Sequence, residues 1–228
     1  MIKNPFAGKK LTLVSAAVLL FFSASLWPDQ ARAEAKEPAF AETVQDVVAA
    51  VENHYRQVSS LSAKVTQKNH LKAIGKTQSF EAELRIKKPG RLRLDYTNGQ
   101  VILVDGREAL FYSKKNEQLI KKTFPDVEQM NIPVAFLLGA AHIRDDFEAL
   151  QPDPKAPRSL ELLPKKPGAA MKKIGMQTDE AGRITALTIF DRSGNTTELL
   201  FEDIREGVAI DDKVFAFKAP KGTEIIEQ

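Results

Sequence analysis

The 228-residue chain contains no cysteine. Without thiols it forms no disulfide, so it is not one of the small secreted domains that disulfides hold together. It also lacks the N-terminal cysteine through which an exported protein would carry its own lipid anchor. The fold of this chain must therefore be stabilised by the burial of apolar side chains.

Catalytic signatures are missing as well. The sequence contains no G-x-S-x-G, H-E-x-x-H, P-loop or G-x-G-x-x-G motif. The three histidines, His54, His70 and His142, lack the spacing of metal ligands. The acidic pairs Asp145-Asp146 and Asp211-Asp212 lie in segments typical of solvated turns. We therefore predict no catalytic residue, no metal site, no cofactor and no enzymatic activity.

Only one apolar run approaches the length of a membrane span, and it lies near the N-terminus. Residues 11–26 are uncharged, follow the basic residues Lys3, Lys9 and Lys10, and precede the small-x-small sequence 31–33. This order predicts a secretory signal peptide over residues 1–33, cleaved after Ala33, rather than an uncleaved anchor. We expect residues 34–228 to form a single domain in a bacterial periplasm.

The chain also has no net charge once that segment is removed. The full chain has 33 basic and 30 acidic residues. Removing residues 1–33 takes away four basic residues and one acid, which leaves 29 of each. A neutral chain offers no electrostatic basis for binding nucleic acid, so we exclude that partner.

What the sequence does have is strict alternation of apolar and charged residues. Phe80, Ala82, Leu84 and Ile86 alternate with Glu81, Glu83, Arg85 and Lys87, and after Pro89-Gly90 the same alternation runs through Leu92, Leu94 and Tyr96. Side chains on a strand point to opposite faces with a period of two. The segment therefore predicts a hairpin in an antiparallel sheet with one solvated face.

The rest of the chain predicts a mainly β protein with a few helices. Apolar residues from Phe40 to Tyr55 fall at helical spacing, and two short apolar helices are expected between residues 124 and 142. Strands are expected near 61–65, 101–104, 110–112, 118–120, 147, 160–163, 173–178, 184–191, 196–202 and 214–217. About ten or eleven strands in this order indicate a strongly curved antiparallel sheet with helices on one face.

Lys88 interrupts the pattern of the hairpin. Counting by twos from Phe80 places Lys88 on the apolar face, where a cation needs a partner such as a carbonyl group. The two interpretations are a contact with whatever covers the sheet and a side chain that reaches solvent. Alternation also leaves open whether the apolar face is an ordinary core or the wall of a cavity.

Six segments together resemble the outer-membrane lipoprotein carrier protein (LolA) family of periplasmic lipoprotein chaperones. They are residues 58–68, 87–94, 105–118, 133–139, 160–165 and 215–222, which read VSSLSAKVTQK, KKPGRLRL, DGREALFYSKKNEQ, PVAFLLG, LELLPK and FAFKAPKG. Each motif is weak alone, but their order and spacing match the family over nearly all of residues 40–227.

The resemblance implies a fold and a function. The fold would be an unclosed antiparallel β-barrel of about eleven strands, with a helical lid over its concave apolar face. The protein would be a monomer that holds the acyl chains of acylated lipoproteins. It would receive them from an inner-membrane ABC transporter complex and pass them to an outer-membrane lipoprotein acceptor.

The resemblance also assigns roles to particular residues. The lipid-cavity residues would be Leu84, Ile86, Leu92, Leu94 and Tyr96. The lid residues would be Val44, Val48, Val51, Phe136, Leu137 and Leu138. Lys88 would join the lid to the barrel, although the family commonly has arginine there, and lysine lacks the planar fork of donors. Leu94 stands where the family usually has a large aromatic residue.

Three other functions fit parts of the pattern. One is an envelope sensor or regulator built on a related half-barrel. Such proteins usually carry a further C-terminal domain, and the printed sequence ends two residues after Ile226, so we expect a carrier instead. A second is a carrier of another envelope lipid. A hydrolase is disfavoured because no signature of a nucleophile and its base is present.

Overall fold

The computed structural model describes residues 42–123, 137–138, 143–166 and 171–227. The helices are α1 (Val44–Gln57) and α2 (Ile143–Asp146). The strands are β1 (Ser60–Leu71), β2 (Lys76–Lys87), β3 (Arg91–Tyr96), β4 (Gln100–Asp105), β5 (Glu108–Ser113), β6 (Gln118–Thr123), β7 (Phe147–Leu150), β8 (Ser159–Pro164), β9 (Met171–Thr178), β10 (Ile184–Asp191), β11 (Thr196–Glu206) and β12 (Glu224–Glu227). The segments Lys72–Ile74 and Asp212–Phe215 are 3₁₀ helices.

Helix α1 begins at a capping box. The Thr43 hydroxyl accepts a hydrogen bond from the backbone N–H of Asp46 (3.2 Å), and the Asp46 carboxylate accepts one from the Thr43 N–H (3.0 Å). Hydrogen bonds from the Thr43 side chain and backbone hold the pKa of Asp46 below its usual value. The predicted stripe is the buried one, with Val47, Val48, Val51 and Tyr55. Phe40 lies outside the described residues.

All twelve strands belong to one sheet, in the order β12-β6-β5-β4-β3-β2-β1-β11-β10-β9-β8-β7. Strands β1–β6 and β7–β11 are two antiparallel meanders, and pairing of β1 with β11 joins them. Among the described strands, the edge strands β12 and β7 do not pair with each other, so the sheet is unclosed. The predicted fold class is confirmed, with one strand more than the expected eleven.

The pairing registers place the apolar side chains on one face. Leu84 lies opposite Leu94, and Leu94 lies opposite Ile102. Residues paired directly across an antiparallel ladder point to the same side of the sheet. Along β1, Ala63 lies opposite Leu84, which extends the same face to the second meander. We call this face the concave face. Its buried side chains form one cluster with those of α1.

The two ends of the sheet differ in what covers them. We call one the α1 end; it carries the turns at 88–90, 106–107 and 179–183. We call the other the hairpin end; it carries the turns at 72–75, 97–99, 114–117 and 192–195. The last residues of α1 lie at the α1 end, since Tyr55 contacts both Lys88 and Ile184.

The opposite, convex face carries a second small core under the C-terminal segment. Leu103, Leu110 and Leu119 are buried there, and Tyr112 and Phe217 pack against them. The strand predicted at 214–217 is wrong. A 3₁₀ helix, Asp212–Phe215, occupies its first two residues, and no described strand pairs with residues 214–217. Instead, the Arg93 guanidinium donates to the carbonyl oxygens of Val214 (2.8 Å) and Ala216 (3.3 Å).

Strand β12 was not predicted. It pairs with β6 in parallel, with Ile225 opposite Leu119, and it forms one edge of the sheet. Four residues with a glutamate at each end are too short and too polar to show a period of two.

Candidate functional site

Lys88 joins the sheet to the last turn of α1. Its ammonium group donates a hydrogen bond to the backbone carbonyl oxygen of Tyr55. The last four carbonyls of a helix lack intrahelical donors, and a cation there also complements the helix dipole. Desolvation lowers the pKa of Lys88. The lysine on the apolar face therefore has its partner in the backbone of α1.

The Tyr55 side chain makes a second contact at the same end. Its hydroxyl accepts a hydrogen bond from the backbone N–H of Ile184, the first residue of β10 (3.2 Å). Burial raises the pKa of Tyr55 far above its usual value. The hydroxyl is therefore neutral at every physiological pH, and this contact does not titrate.

Three polar contacts hold α1 and the residue before its N-cap to β11, to α2 and to the loop before β8. His54 Nε2 lies 2.7 Å from a carboxylate oxygen of Glu206 in β11. The Glu52 carboxylate lies 3.5 Å from the Arg144 guanidinium and accepts a hydrogen bond from the Arg144 N–H (3.1 Å). Glu42 lies 3.1 Å from Arg158. Because these contacts are partly exposed, each contributes little to stability. The polar side of α1 is therefore only weakly attached to its neighbours.

Gly182 lets the turn between β9 and β10 approach α1. A Cβ atom at this position would lie 2.7 Å from the backbone carbonyl carbon of Ala50, and the φ angle of Gly182 is +80°. Both the space and the backbone conformation therefore require glycine. The contact of this turn with the α1 backbone limits how closely α1 can approach the β9–β10 turn.

Replacing Gly182 with alanine should reduce stability by about 2–4 kcal/mol, because the added methyl group collides with the α1 backbone in a strained conformation. The measurement is the free energy of unfolding in urea. Gly106→Ala is the matched control, since its φ is +93° but nothing lies within 4 Å of the added Cβ. Equal losses in both variants would contradict the close packing of this turn on α1.

Replacing Lys88 with methionine should speed amide hydrogen exchange in the second half of α1 about five- to thirtyfold. The change removes the donor to the Tyr55 carbonyl, a contact worth about 1–2 kcal/mol, and keeps the apolar stem. Exchange measured by mass spectrometry over residues 50–58 tests this. Lys88→Arg retains a donor and should exchange no faster than the native protein, so fast exchange in both variants would contradict the proposed contact.

The structure brings the predicted cavity residues together at the middle and α1 end of the concave face. Leu84, Ile86, Leu92 and Leu94 are all 3% exposed or less. They form part of the main core cluster, and Tyr96 packs at its edge. Four of the five predicted cavity side chains are therefore buried in this structure.

The predicted lid residues lie in the same cluster as far as the structure describes them. Val48 and Val51 on α1 are buried, and Val44 packs against the cluster. Leu137 and Leu138 are also buried members. Phe136 lies outside the described residues.

An open hollow lies at the hairpin end of the concave face. Its volume is about 460 Å³, which is within the usual range for small-molecule sites. Its apolar side chains include Phe80, Tyr96, Ile102, Phe111 and Ile120. We call this space the hollow. Of the predicted cavity residues, Tyr96 alone is among its lining residues.

The mouth of the hollow is polar but uncharged. The Tyr96 hydroxyl donates to the Gln67 amide oxygen (2.7 Å), and the Gln67 amide nitrogen donates to Asn69 (2.9 Å). Burial raises the pKa of Tyr96 to about 12, so this hydroxyl stays a donor. Gln78, Gln100 and Gln118 also lie at the mouth, and the described lining contains no Asp, Glu, Lys or Arg. Such a site suits an apolar chain whose outer end carries neutral polar groups.

The sequence analysis did not assign Ile102, Phe111 or Ile120 to the site. Pairing across β3, β4, β5 and β6 puts these three in one row with Leu94. The signal that could have found them is Gly99, read as the last residue of a three-residue turn, because its positive φ (+83°) and the length of that turn set the register of β3 against β4.

The described residues contain no group of three or more His, Cys, Asp or Glu side chains placed to hold a metal ion. Within the part of the chain that the structure describes, no helix combines the length and apolar character needed to cross a membrane.

An unclosed antiparallel sheet with a helix against its concave face and a partly apolar hollow at the hairpin end of that face defines the class of open half-barrels. Within this class of folds, the sequence identifies the family. The model of the family described as outer membrane lipoprotein carrier protein LolA matches residues 56–218, more than half of the chain. The chain belongs to the LolA family.

Relatives of this chain carry the same description. The outer-membrane lipoprotein carrier protein of Cupriavidus taiwanensis is 27% identical over 219 residues, which cover 95% of this chain and 98% of the relative. That of Chromobacterium violaceum is 26% identical over 194 residues, covering 83% and 89%. Among solved structures, a LolA superfamily protein from Nitrosomonas europaea is 15% identical with a TM-score of 0.44, covering 77% of this chain and 98% of that one.

Proposed function

We propose that this protein is a periplasmic carrier that holds the acyl chains of lipoproteins in the hollow and on the apolar wall beside it. It would receive them from an inner-membrane ABC transporter complex and deliver them to an outer-membrane acceptor. The observation that carries the proposal is the hollow, because it places an open apolar wall on the concave face of a LolA-family half-barrel.

The physical need for such a carrier follows from the cost of exposing an acyl chain. Each methylene group transferred out of water contributes about 0.8 kcal/mol, so a sixteen-carbon chain costs about 12 kcal/mol to expose. Free diffusion of such a chain through an aqueous compartment is therefore negligible. A preformed apolar wall can replace the membrane during transfer, and no covalent bond has to change.

The predicted site residues keep distinct roles in this proposal. The acyl chain enters at Tyr96 in the hollow and extends towards Leu94, Leu84, Leu92 and Ile86 when the covering groups move. Val44, Val48, Val51, Phe136, Leu137 and Leu138 form the lid. Lys88 holds the closed position through the Tyr55 carbonyl. The protein acts as a monomer without a cofactor.

The N-terminal segment fits the same proposal. Residues 1–33 would direct export and be removed after Ala33, leaving 34–228 as a single half-barrel domain. Determining the N-terminus of the protein from a periplasmic extract tests this directly. A start at Glu34 is expected, and an intact N-terminus in the membrane fraction would contradict it.

A release assay tests the carrier function. Protein purified from periplasmic extract is added to spheroplasts of the host, and the supernatant is analysed for lipoproteins bound to it. We expect soluble complexes whose formation requires ATP. If folded protein releases no lipoprotein, the proposal fails. Mass spectrometry of lipids extracted from the purified protein would then identify any other envelope lipid that it carries.

A further inference from the structure

The tip of the β1–β2 hairpin presents an apolar side chain to solvent. Ile74 is 61% exposed, more than Leu150, Leu200 or Ile225, which are the other large exposed hydrophobic side chains of the described residues. It ends the 3₁₀ helix Lys72–Ile74, and Gly75 then reverses the chain in a left-handed conformation. The position is the outermost point of the hairpin, where an isoleucine contributes nothing to the core.

The tip is held in place from the neighbouring turn. The Lys72 backbone N–H donates to the Asn195 side-chain oxygen (3.1 Å). Asn195 is in turn fixed by Asp191, which accepts hydrogen bonds from its backbone (2.8 Å) and its side chain (2.7 Å). Ile74 is therefore presented by an ordered turn and not by a free loop.

Lys72 and Lys76 flank the exposed isoleucine in sequence, and basic residues outnumber acidic ones in the turns at this end of the sheet. The turns of the hairpin end, counted as residues 72–76, 97–99, 114–117 and 191–195, contain five basic and two acidic residues. The basic ones are Lys72, Lys76, Lys114, Lys115 and Arg192, and the acidic ones are Glu117 and Asp191. Residues 34–228 as a whole are neutral, so this surplus is a local asymmetry of the hairpin end.

The same end contains the mouth of the hollow. Asn69 and Gln78 on the β1–β2 hairpin and Asn116 in the β5–β6 turn all line it. A surface that met Ile74 and these lysines would therefore face the opening through which a ligand enters or leaves.

We propose that the hairpin end is a docking surface for an anionic phospholipid membrane, with Ile74 entering the interface and the lysines contacting lipid phosphates. An exposed apolar side chain flanked by two lysines, on a surface with a surplus of basic residues, matches the boundary between acyl chains and anionic headgroups. The interaction is weak and reversible, since one isoleucine and a few lysines provide it. It concerns the bare protein and does not depend on the carrier function.

The test is flotation of protein from periplasmic extract with phosphatidylglycerol-containing vesicles, compared with vesicles of phosphatidylcholine alone. We expect binding to the anionic vesicles only, weakening as salt is added. Ile74→Glu should reduce the partition coefficient about tenfold or more, because it removes the inserted side chain and adds a repelled charge. Lys72→Glu changes the charge by two units and should reduce it about 25-fold, at roughly fivefold for each unit of charge.

Two matched controls make the result specific. Leu150→Glu changes a leucine that is 43% exposed at the α1 end of β7, and Lys155→Glu reverses an exposed lysine in the β7–β8 loop. Both should bind vesicles like the native protein. Absence of vesicle binding, equal binding to both lipids, or equal losses in Ile74→Glu and Leu150→Glu would overturn the proposal. The first of these outcomes would point to an acidic protein as the partner instead.

Discussion

Replacing Phe111 with glutamate should weaken acyl-chain binding by roughly 30- to 1000-fold. Phe111 is half-buried in the wall of the hollow, in the row of Leu94, Ile102 and Ile120. The change removes an apolar contact and places a carboxylate against the bound chain, which together cost about 2–4 kcal/mol in binding. The measurement is equilibrium binding of a fluorescent hexadecanoyl probe, followed by fluorescence titration.

The control for this variant is a glutamate on the other side of the sheet. Leu200 is 46% exposed on β11 and lies opposite Thr66, which places it on the convex face. Leu200→Glu should bind the probe with native affinity. Both variants must show a native far-UV circular dichroism spectrum and a cooperative thermal transition. Native affinity in a folded Phe111→Glu protein would exclude the hollow as the acyl-chain site.

The sequence could predict the faces of the strands because their period is local. Alternation from Phe80 to Tyr96 placed Leu84 and Leu94 on one face, and the observed register pairs them directly. It failed at 214–217, where Val214 and Phe215 have strand-like side chains but no neighbouring strand to pair with. Phe217 packs instead against Leu103, Leu110 and Leu119 on the convex face, and such packing depends on residues a hundred positions away.

The location of the hollow could not be predicted for a similar reason. Periodicity identifies the apolar face of each strand, but it does not say how far along that face a helix lies. Contacts of α1 with Lys88, Ile184 and Gly182 place it at the α1 end, over the side chains chosen as the cavity. The part of the same face around Phe111 is not covered and forms the hollow.

The free energy of burying an acyl chain is comparable with the free energy needed to move α1 off the sheet. Exposing the three buried valines of α1, Val47, Val48 and Val51, costs about 5–9 kcal/mol. Burying one sixteen-carbon acyl chain returns about 12 kcal/mol. The contacts of α1 with Glu206 and Arg144 are partly exposed, whereas the hydrogen bond from Ile184 to the Tyr55 hydroxyl is buried. In the proposed function, the acyl chain displaces α1 and reaches the wall formed by Leu84 and Leu94.

Cross-linking α1 to β11 should consequently reduce uptake of the acyl probe about tenfold or more, because the locked helix keeps the deeper wall covered. The variant carries His54→Cys and Glu206→Cys, whose native side chains are 2.7 Å apart. The chain has no other cysteine, so a short cleavable bismaleimide joins these two positions alone. Uptake is followed as probe fluorescence before cross-linking, after it, and after cleavage of the linker, which should restore the original rate.

The matched control joins two strands instead of the helix and a strand. Lys64 Nζ and Asp203 Oδ2 lie 2.6 Å apart on β1 and β11, so Lys64→Cys with Asp203→Cys accepts the same linker without touching α1. Its uptake should not change. If the α1–β11 cross-link also leaves uptake unchanged, the helix does not move for cargo, and acyl chains use only the hollow beside Phe111. A loss in both pairs would show instead that the sheet itself must flex, since the linker on the convex face restrains β1 and β11 without covering any part of the concave wall.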